Sequence, residues 1–222
     1  MVSTSGTLLE GLPEDERRRV LTTMRRRRFV PGEVIFHEGD LGDTLHVIEA
    51  GHVAIRVTTP LGDVATFTVL GPGSAFGEGS FFNSDTRRSA SAVAIGPTQT
   101  RSIGRDAFAS LRREQPRVEQ FLVALLAAQV RRLSELVVEV MYVPVETRVL
   151  RRLAALAHDF AGSDAGPAVV VPLTQDDLAT LAGTTRPTAN RVLKQAEADG
   201  LITLSRGRIH VLDAGALARR AR

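Results

Sequence analysis

Between Phe29 and about Ile103 the chain breaks into six short apolar runs, at residues 34–36, 45–48, 53–57, 64–70, 89–94 and 98–103. Glycine-containing turns separate them: Pro31-Gly32, Gly39-Asp40, Leu61-Gly62-Asp63, Gly71-Pro72-Gly73 and Gly96-Pro97. Runs at this spacing predict antiparallel strands closed into a sandwich or barrel. Such a roll encloses an apolar interior. Phe67 and Leu70 are candidate walls of a cavity there, and equally candidates for ordinary core.

Helices flank the strands. Residues 14–24 read as a short helix, with Pro13 before it, acidic residues in its first turn and arginines towards its end. The run Arg25-Arg26-Arg27-Arg28 lies between that helix and the first strand, where a solvated face is a better reading than a nucleic-acid contact. Residues 105–113 form a second short helix, and Pro116 opens a long one. Phe121, Leu122, Leu125, Leu126, Val130, Leu133, Val137, Val140 and Met141 follow the three-and-four spacing of a helical stripe. About seven turns of stripe exceed what one domain covers, so the face is predicted to bury against a twin helix, with packing on its own domain as the alternative. Pro144 ends the helix and marks a hinge. The predicted division is therefore 1–116, 117–144 and 145–222.

The last third has a different grammar. An amphipathic helix at 148–160 leads through a Gly/Ser/Asp-rich loop at 161–167 to a short strand at 169–171. Thr174 is placed to cap a helix, with Asp177 three residues on completing a capping-box signature. Leu178 and Leu181 point inward, Ala179 permits close helix crossing, and Gly183 makes the turn. Thr185 is placed to cap a second helix whose inner face is Ala189, Val192 and Leu193. Arg186, Thr188, Asn190 and Arg191 are left facing outward, with Pro187 in the first turn. This is a helix-turn-helix with a groove-reading second helix. Residues 201–204 and 208–212, joined at Ser205-Arg206-Gly207, add a two-stranded wing whose Arg206 and Arg208 can reach phosphates.

Charge agrees with that division. Residues 1–144 balance 17 basic against 17 acidic side chains, while residues 145–222 hold 11 against 8. The whole excess of +3 sits where DNA would be met. At 222 residues the chain accommodates two modest domains. It has no cysteine, which excludes a disulfide framework, a zinc finger and the thiolate ligands of an iron–sulfur cluster. His37, His46, His52, His158 and His210 are scattered, so neither a haem nor another metal is expected. No His-x-x-x-His or Gly-x-Ser-x-Gly pattern is present, and no enzymatic activity is expected. No apolar stretch approaches the ~20 residues of a membrane span, and residues 1–12 do not resemble a signal peptide, so a cytoplasmic location is expected.

One constellation lies inside the predicted roll: Phe76-Gly77-Glu78, then nine residues beginning with Gly79, then Arg88-Ser89-Ala90. These residue types suit a cyclic phosphodiester on a ribose. A backbone near Gly77 can approach phosphate oxygens without a Cβ in the way. Arg88 offers a fork of donors and Ser89 a hydroxyl. Ionised Glu78 only accepts hydrogen bonds, so the ribose hydroxyl is its natural partner. The competing reading is a degenerate pocket in which Arg88 pairs with Glu78.

Glu78 and Arg88-Ser89 at this separation resemble the phosphate-binding cassette of the cyclic-AMP receptor protein (CRP/FNR) family. The stretches at 31–40 and 48–53 are similar to that family's opening strands, and the helix-turn-helix extends the resemblance to nearly the whole chain. The resemblance implies an α+β chain: an antiparallel β-roll of double-stranded β-helix type, a dimerisation helix and a C-terminal winged helix-turn-helix. It implies a homodimer that binds palindromic duplex DNA under control of a cyclic nucleotide, with RNA polymerase as a further partner. In the cyclic-AMP-responsive members a threonine–serine pair on the dimer helix bonds the adenine; here Leu133 and Ser134 stand there. Cyclic AMP leads, ahead of another cyclic nucleotide, a different effector or no ligand. Arg186 and Arg191 fall where the family contacts guanines, whereas Pro187 replaces a glutamate that accepts from cytosine.

Overall fold

The computed structural model describes residues 14–79, 86–114, 117–161 and 168–221. Its first part runs α1 (Glu14–Thr23), β1 (Arg25–Phe29), β2 (Val34–Phe36), β3 (Thr44–Ala50), β4 (Val53–Thr58), β5 (Val64–Leu70), β6 (Ala75–Phe76), β7 (Ser91–Ala94), β8 (Thr98–Gly104) and α2 (Arg105–Glu114). The strands make two four-stranded sheets, ordered β1-β8-β3-β6 and β2-β7-β4-β5. Their pairings are antiparallel, and most neighbours are not consecutive in the chain. The backbone therefore winds between the sheets as a roll rather than folding as a meander.

Strand alternation sorts the interior. Leu45 and Val47 of β3 join Val20, Met24, Ala75, Ile103, Phe108 and Leu111 in a cluster closed by α1 and α2. Ile48, one step out of phase, joins Val53, Leu70, Phe76 and Ala92, with Ile35, Phe36 and Ile55 packed against them. Each fully buried side chain of this size contributes roughly 1.5–3 kcal/mol. Leu70 is thus ordinary core, while Phe67 remains about half exposed.

Two sequence expectations need correction here. Arg25–Arg28 is not a connector but the body of β1, paired residue for residue with β8 from Arg25↔Ser102 to Phe29↔Thr98. The pairing supplies the strand. The four arginine side chains are exposed, as expected of a solvated face. The two-residue β6 was not anticipated; its pairing of His46 with Phe76 and Val47 with Ala75 places the glycine-glutamate segment that follows.

The second part holds α3 (Arg117–Tyr142), α4 (Val145–Phe160), β9 (Val169–Val171), α5 (Gln175–Leu181), α6 (Arg186–Ala198), β10 (Ile202–Ser205), β11 (Arg208–Val211) and α7 (Ala214–Arg220). The chain divides into two compact units, and the division falls within α3 between Arg132 and Leu133, with Ala65–Phe67 grouped in the second. On α3, Leu126, Val130, Leu133, Val137, Val140 and Met141 of the predicted stripe are exposed in the single chain. The side chains of Phe121, Leu122 and Leu125 lie outside the described residues, as do Pro116 and residues 162–167.

The predicted two-stranded wing is three-stranded, ordered β10-β11-β9, because β9 pairs back onto β11. A core of Leu153, Leu178, Leu193, Ile202, Ile209 and Leu217, all essentially inaccessible, joins this sheet to α4, α5, α6 and α7. Helix α7, capped by Asp213 whose side chain accepts from the Ala216 N–H at 2.8 Å, was not read from the sequence.

Candidate functional site

The strand pairing that buries β3 also builds a polar seat inside the roll. Arg88 is only 4% exposed, although it is an arginine. Its backbone is pinned on both sides, by Gly39 N–H to Arg88 O and by Arg88 N–H to Asp40 O, each 2.8 Å. Its guanidinium donates from Nη1 to Gly77 O at 2.8 Å, and from Nη2 to Thr44 O at 2.8 Å and Thr44 Oγ1 at 2.9 Å. Its central carbon lies 4.0 Å from the centroid of the Phe36 ring, within cation–π range. The buried Nε has no partner among the described residues. Burial pulls the guanidinium pKa down, and the nearby Asp43, Glu78 and Asp40 charges oppose that pull. Its hydrogen bonds go to neutral oxygens, and it makes no ion pair with Glu78.

Gly77 is required at its position on two counts. Its φ is +87°, a conformation that side chains disfavour. A Cβ there would lie 2.7 Å from Arg88 Nη1 and 2.9 Å from Thr44 O. Gly79 stands next to Ser89, whose Oγ is 3.9 Å from where a Gly79 Cβ would sit. The structure thus brings Gly77, Gly79, Arg88 and Ser89 together, across the segment 80–85 that lies outside the described residues. Glu78 is half buried, and its Oε1 accepts from Gln129 Nε2 on α3 at 3.4 Å. Arg132, one turn on, donates to Thr68 Oγ1.

Thr44, Gln129 and His46 were not read from the sequence. His46 is buried, stacked on Phe76 at 5.0 Å between ring centroids and tilted against Phe36. Its Nδ1 lies 3.2 Å from Thr100 Oγ1 and its Nε2 3.3 Å from Thr44 Oγ1, the hydroxyl that Arg88 also uses. Burial first, then the charges of Arg88 and Arg27, push the imidazole down to about 4, against a smaller opposing effect of Asp43. It is neutral near pH 7. Leu133 and Ser134 follow Gln129 by four and five residues on α3, and both are exposed.

The second candidate surface lies at the helix-turn-helix. Thr174 and Asp177 form a reciprocal capping box: Thr174 Oγ1 accepts from Asp177 N–H at 3.0 Å, and Asp177 Oδ2 accepts from Thr174 N–H at 2.9 Å. The turn closes as a Schellman motif, with Thr184 N–H on Ala179 O, Gly183 N–H on Thr180 O, and Gly183 at φ +61°. Arg148 braces the same turn. It donates to Ala182 O at 3.0 Å and Gly183 O at 3.2 Å, and also to Val140 O at 2.7 Å at the end of α3.

Two expectations for the recognition helix are corrected. Thr185 occupies the N-cap position but makes no side-chain cap; its hydroxyl pairs with that of Thr188 at 3.1 Å. Asn190 does not face outward freely, since it is half buried and donates to Gln175 Oε1 at 2.6 Å. Arg186, Pro187 and Arg191 are exposed along the outer face, and Arg206 and Arg208 flank Gly207 at the wing tip. Among the described residues, no group of three or more His, Cys, Asp or Glu could hold a metal, and no helix is long and apolar enough to cross a membrane.

Comparison with known proteins addresses both halves. The cyclic nucleotide-binding domain family matches residues 26–115, and the Crp-like helix-turn-helix domain family matches residues 147–220. The chain is 35% identical over 210 residues to the cyclic AMP receptor protein of Thermus thermophilus, covering 95% of this chain and 94% of that one. It is 34% identical over 195 residues to a CRP-like cAMP-activated global transcriptional regulator of Mycobacterium tuberculosis, covering 87% of each. Among solved structures, the Thermus thermophilus catabolite activator protein aligns with a TM-score of 0.56 at 33% identity, over 97% of this chain and 98% of that one. The antiparallel roll, the long helix and the winged helix-turn-helix are the expected architecture, and the chain belongs to the CRP/FNR family of transcription regulators, which join a cyclic-nucleotide-binding domain to a Crp-like helix-turn-helix.

Proposed function

We propose that the chain is a homodimeric regulator whose grip on palindromic duplex DNA is set by cyclic AMP. The observation that carries the ligand half is Arg88: a buried cation whose hydrogen bonds, among the described residues, go to neutral oxygens, with an Nε that has no partner among them and a glycine cradle against its Nη1. A buried charge is costly without an opposite one in contact, and the Asp43, Glu78 and Asp40 charges do not fully offset the burial of this one. A cyclic phosphate brings a single negative charge on the scale of this cradle. Arg88 and Ser89 would hold the phosphate beside the Gly77 and Gly79 backbone, and Glu78, steadied by Gln129, would accept from the ribose hydroxyl.

Ser134 and Leu133 would meet the purine, with Leu133 offering no hydrogen bond, so the ribose phosphate supplies most of the affinity. The exposed apolar stripe of α3 is suited to a twin helix. Two recognition helices could then reach successive major grooves about 34–36 Å apart, a spacing established for helix-turn-helix dimers including this family. Arg186 and Arg191 would read guanines, Thr185 and Thr188 would lie at the same surface, and Thr174, Arg206 and Arg208 would reach phosphates. Such a regulator has no reaction to catalyse, acts with RNA polymerase, and works in the cytoplasm.

Isothermal titration with cyclic AMP, cyclic GMP and 5′-AMP tests the reading. Tighter binding of cyclic AMP than of the other two, with two sites per dimer, is expected. Absence of heat with every cyclic nucleotide would overturn the ligand, leaving a regulator of this family answering to another effector.

A further inference from the structure

Both arginines that face the DNA groove are already held by carboxylates of their own domain. Arg186 Nη1 lies 3.2 Å from Asp176 Oδ2, and Arg191 Nη1 lies 3.0 Å from Glu146 Oε1. The four side chains are all more than half exposed, at 66% and 56% in the first pair and 67% and 60% in the second. Asp176 is in the first turn of α5, the leading helix of the helix-turn-helix, and Glu146 is in the first turn of α4. Neither carboxylate caps its helix, since Pro144 and Thr174 occupy the cap positions. Exposed pairs of this kind add about 0–1 kcal/mol to folding, so stability gives little reason for two of them at this surface.

We propose that Asp176 and Glu146 are specificity-determining residues that suppress binding to non-operator DNA. The inference rests on the DNA-reading role given above to Arg186 and Arg191. Its physics is a difference between two binding modes. Non-specific binding is driven almost wholly by phosphate neutralisation, with log K falling by about 0.9 per neutralised phosphate for each tenfold rise in salt. In a helix-turn-helix the leading helix crosses the DNA backbone while the second lies in the groove. A carboxylate on the leading helix therefore stands near phosphates and cancels part of that drive. It also holds its arginine against a diffuse phosphate contact, which offers only another exposed charge pair. A guanine edge offers a bidentate bond worth roughly 1–3 kcal/mol of discrimination, enough to draw the arginine out of its pair. Non-specific affinity falls more than operator affinity, and the ratio between them grows.

The effect should matter more in this chain because Pro187 removes one base-reading side chain from the recognition helix. Restraint of the non-specific term recovers selectivity that direct readout has lost.

The test uses the full chain with saturating cyclic AMP, an operator selected from a random duplex library with the wild-type protein, and a scrambled duplex of the same length. Asp176→Asn, Glu146→Gln and the double variant keep shape and remove charge at exposed positions; thermal melts check that each folds. For the double variant, affinity for the scrambled duplex should rise about tenfold or more near 0.1 M salt. The slope of log K against log salt should steepen by about 1–2, one phosphate contact per charge removed. Operator affinity should rise less, so the operator-to-scrambled ratio falls at least threefold. An unchanged slope would overturn the proposal by placing both carboxylates away from the phosphates. An equal rise on both duplexes would also overturn it, leaving a charge effect without selectivity. A selective loss of operator binding would overturn it differently, by making the carboxylates supports or direct readers of a base. If the wild type bound neither duplex, the DNA-reading assignment itself would fail, and the slopes would not arise.

Discussion

Arginine stands in two different settings in this chain. Arg88 is buried, held by three hydrogen bonds and an aromatic ring, and carries no ion pair with Glu78. Arg186 and Arg191 are about two-thirds exposed and rest on carboxylates. Water screens the exposed pairs, so their geometry is inexpensive to change, as the proposed exchange of carboxylate for guanine requires. Arg88 is shielded, so an anion near it interacts strongly and every neighbour of the guanidinium becomes part of the response. On the proposed reading, the ligand-binding half works by burial and the DNA-reading half by exposure.

The comparison predicts its largest effect at Arg88. Arg88→Ala should lower cyclic-nucleotide affinity roughly 100-fold or more, because hydrogen bonds to a charged group contribute about 1.5–3 kcal/mol each. Glu78→Gln should cost far less, since an amide oxygen can still accept from a ribose hydroxyl. Gly77→Ala should resemble Arg88→Ala, because its Cβ would intrude 2.7 Å from Arg88 Nη1. Titration of the three variants checks the order. Wild-type affinity in Arg88→Ala would remove the ligand half of the comparison.

The same burial predicts a pH dependence of stability. His46 titrates near its ordinary 6.5 when unfolded and near 4 when folded, chiefly because burial disfavours its charged form. Between those values the unfolded chain binds the extra proton, so acid favours unfolding. The stabilisation is complete above about pH 6.5 and is lost as pH falls towards 4, on the order of 3 kcal/mol in all. Urea melts from pH 7 to pH 4 should show this loss, and His46→Gln should flatten it. An equal slope in the variant would assign the acid sensitivity to carboxylates elsewhere.

What could be read from the sequence follows the range of the interactions. The Thr174–Asp177 capping box and the Gly183 turn are set by neighbours three to five residues apart, so spacing reveals them. The order of the strands was legible because turns punctuate apolar runs. Strand β1 was not, since Arg25–Arg28 has no apolar alternation and becomes a strand only by pairing with β8. Thr44 and His46 were missed for a related reason. They meet Arg88 and Thr100 across 44 and 54 residues of chain, and no local pattern marks a threonine that will seat a guanidinium. The Asn190–Gln175 bond likewise turns a side chain that helical periodicity leaves outward.

The exposed half predicts a smaller effect of a different kind. Arg191→Ala should change folding stability by less than about 0.5 kcal/mol, as exposed substitutions do. It should cost roughly 1–3 kcal/mol of discrimination at one operator base pair. Melts and binding to an operator series with single base changes separate the two. A marked loss of stability would show that the Glu146 pair is structural and that the contrast with Arg88 is overstated.

The smallest effect concerns Leu133, on the helix that runs out of the ligand-binding unit. It is 46% exposed in the single chain and four residues beyond Gln129, so it shares a helical face with the side chain that reaches Glu78. If the purine lies against α3, Leu133→Thr adds a hydroxyl that can bond the adenine amino group. A net gain of about 0.5–1.5 kcal/mol is expected for one such bond, less the apolar contact that Leu133 loses. Selectivity for cyclic AMP over cyclic GMP should rise about twofold to tenfold in titrations. Where ligand and DNA binding are coupled, the same preference must appear in operator affinity, because a ligand that binds two states equally shifts neither. Unchanged selectivity would mean that Leu133 serves the twin-helix contact alone. Changed selectivity without a change in operator affinity would mean that the nucleotide is bound but does not switch the protein, and the burial-based half would then be a site without a lever.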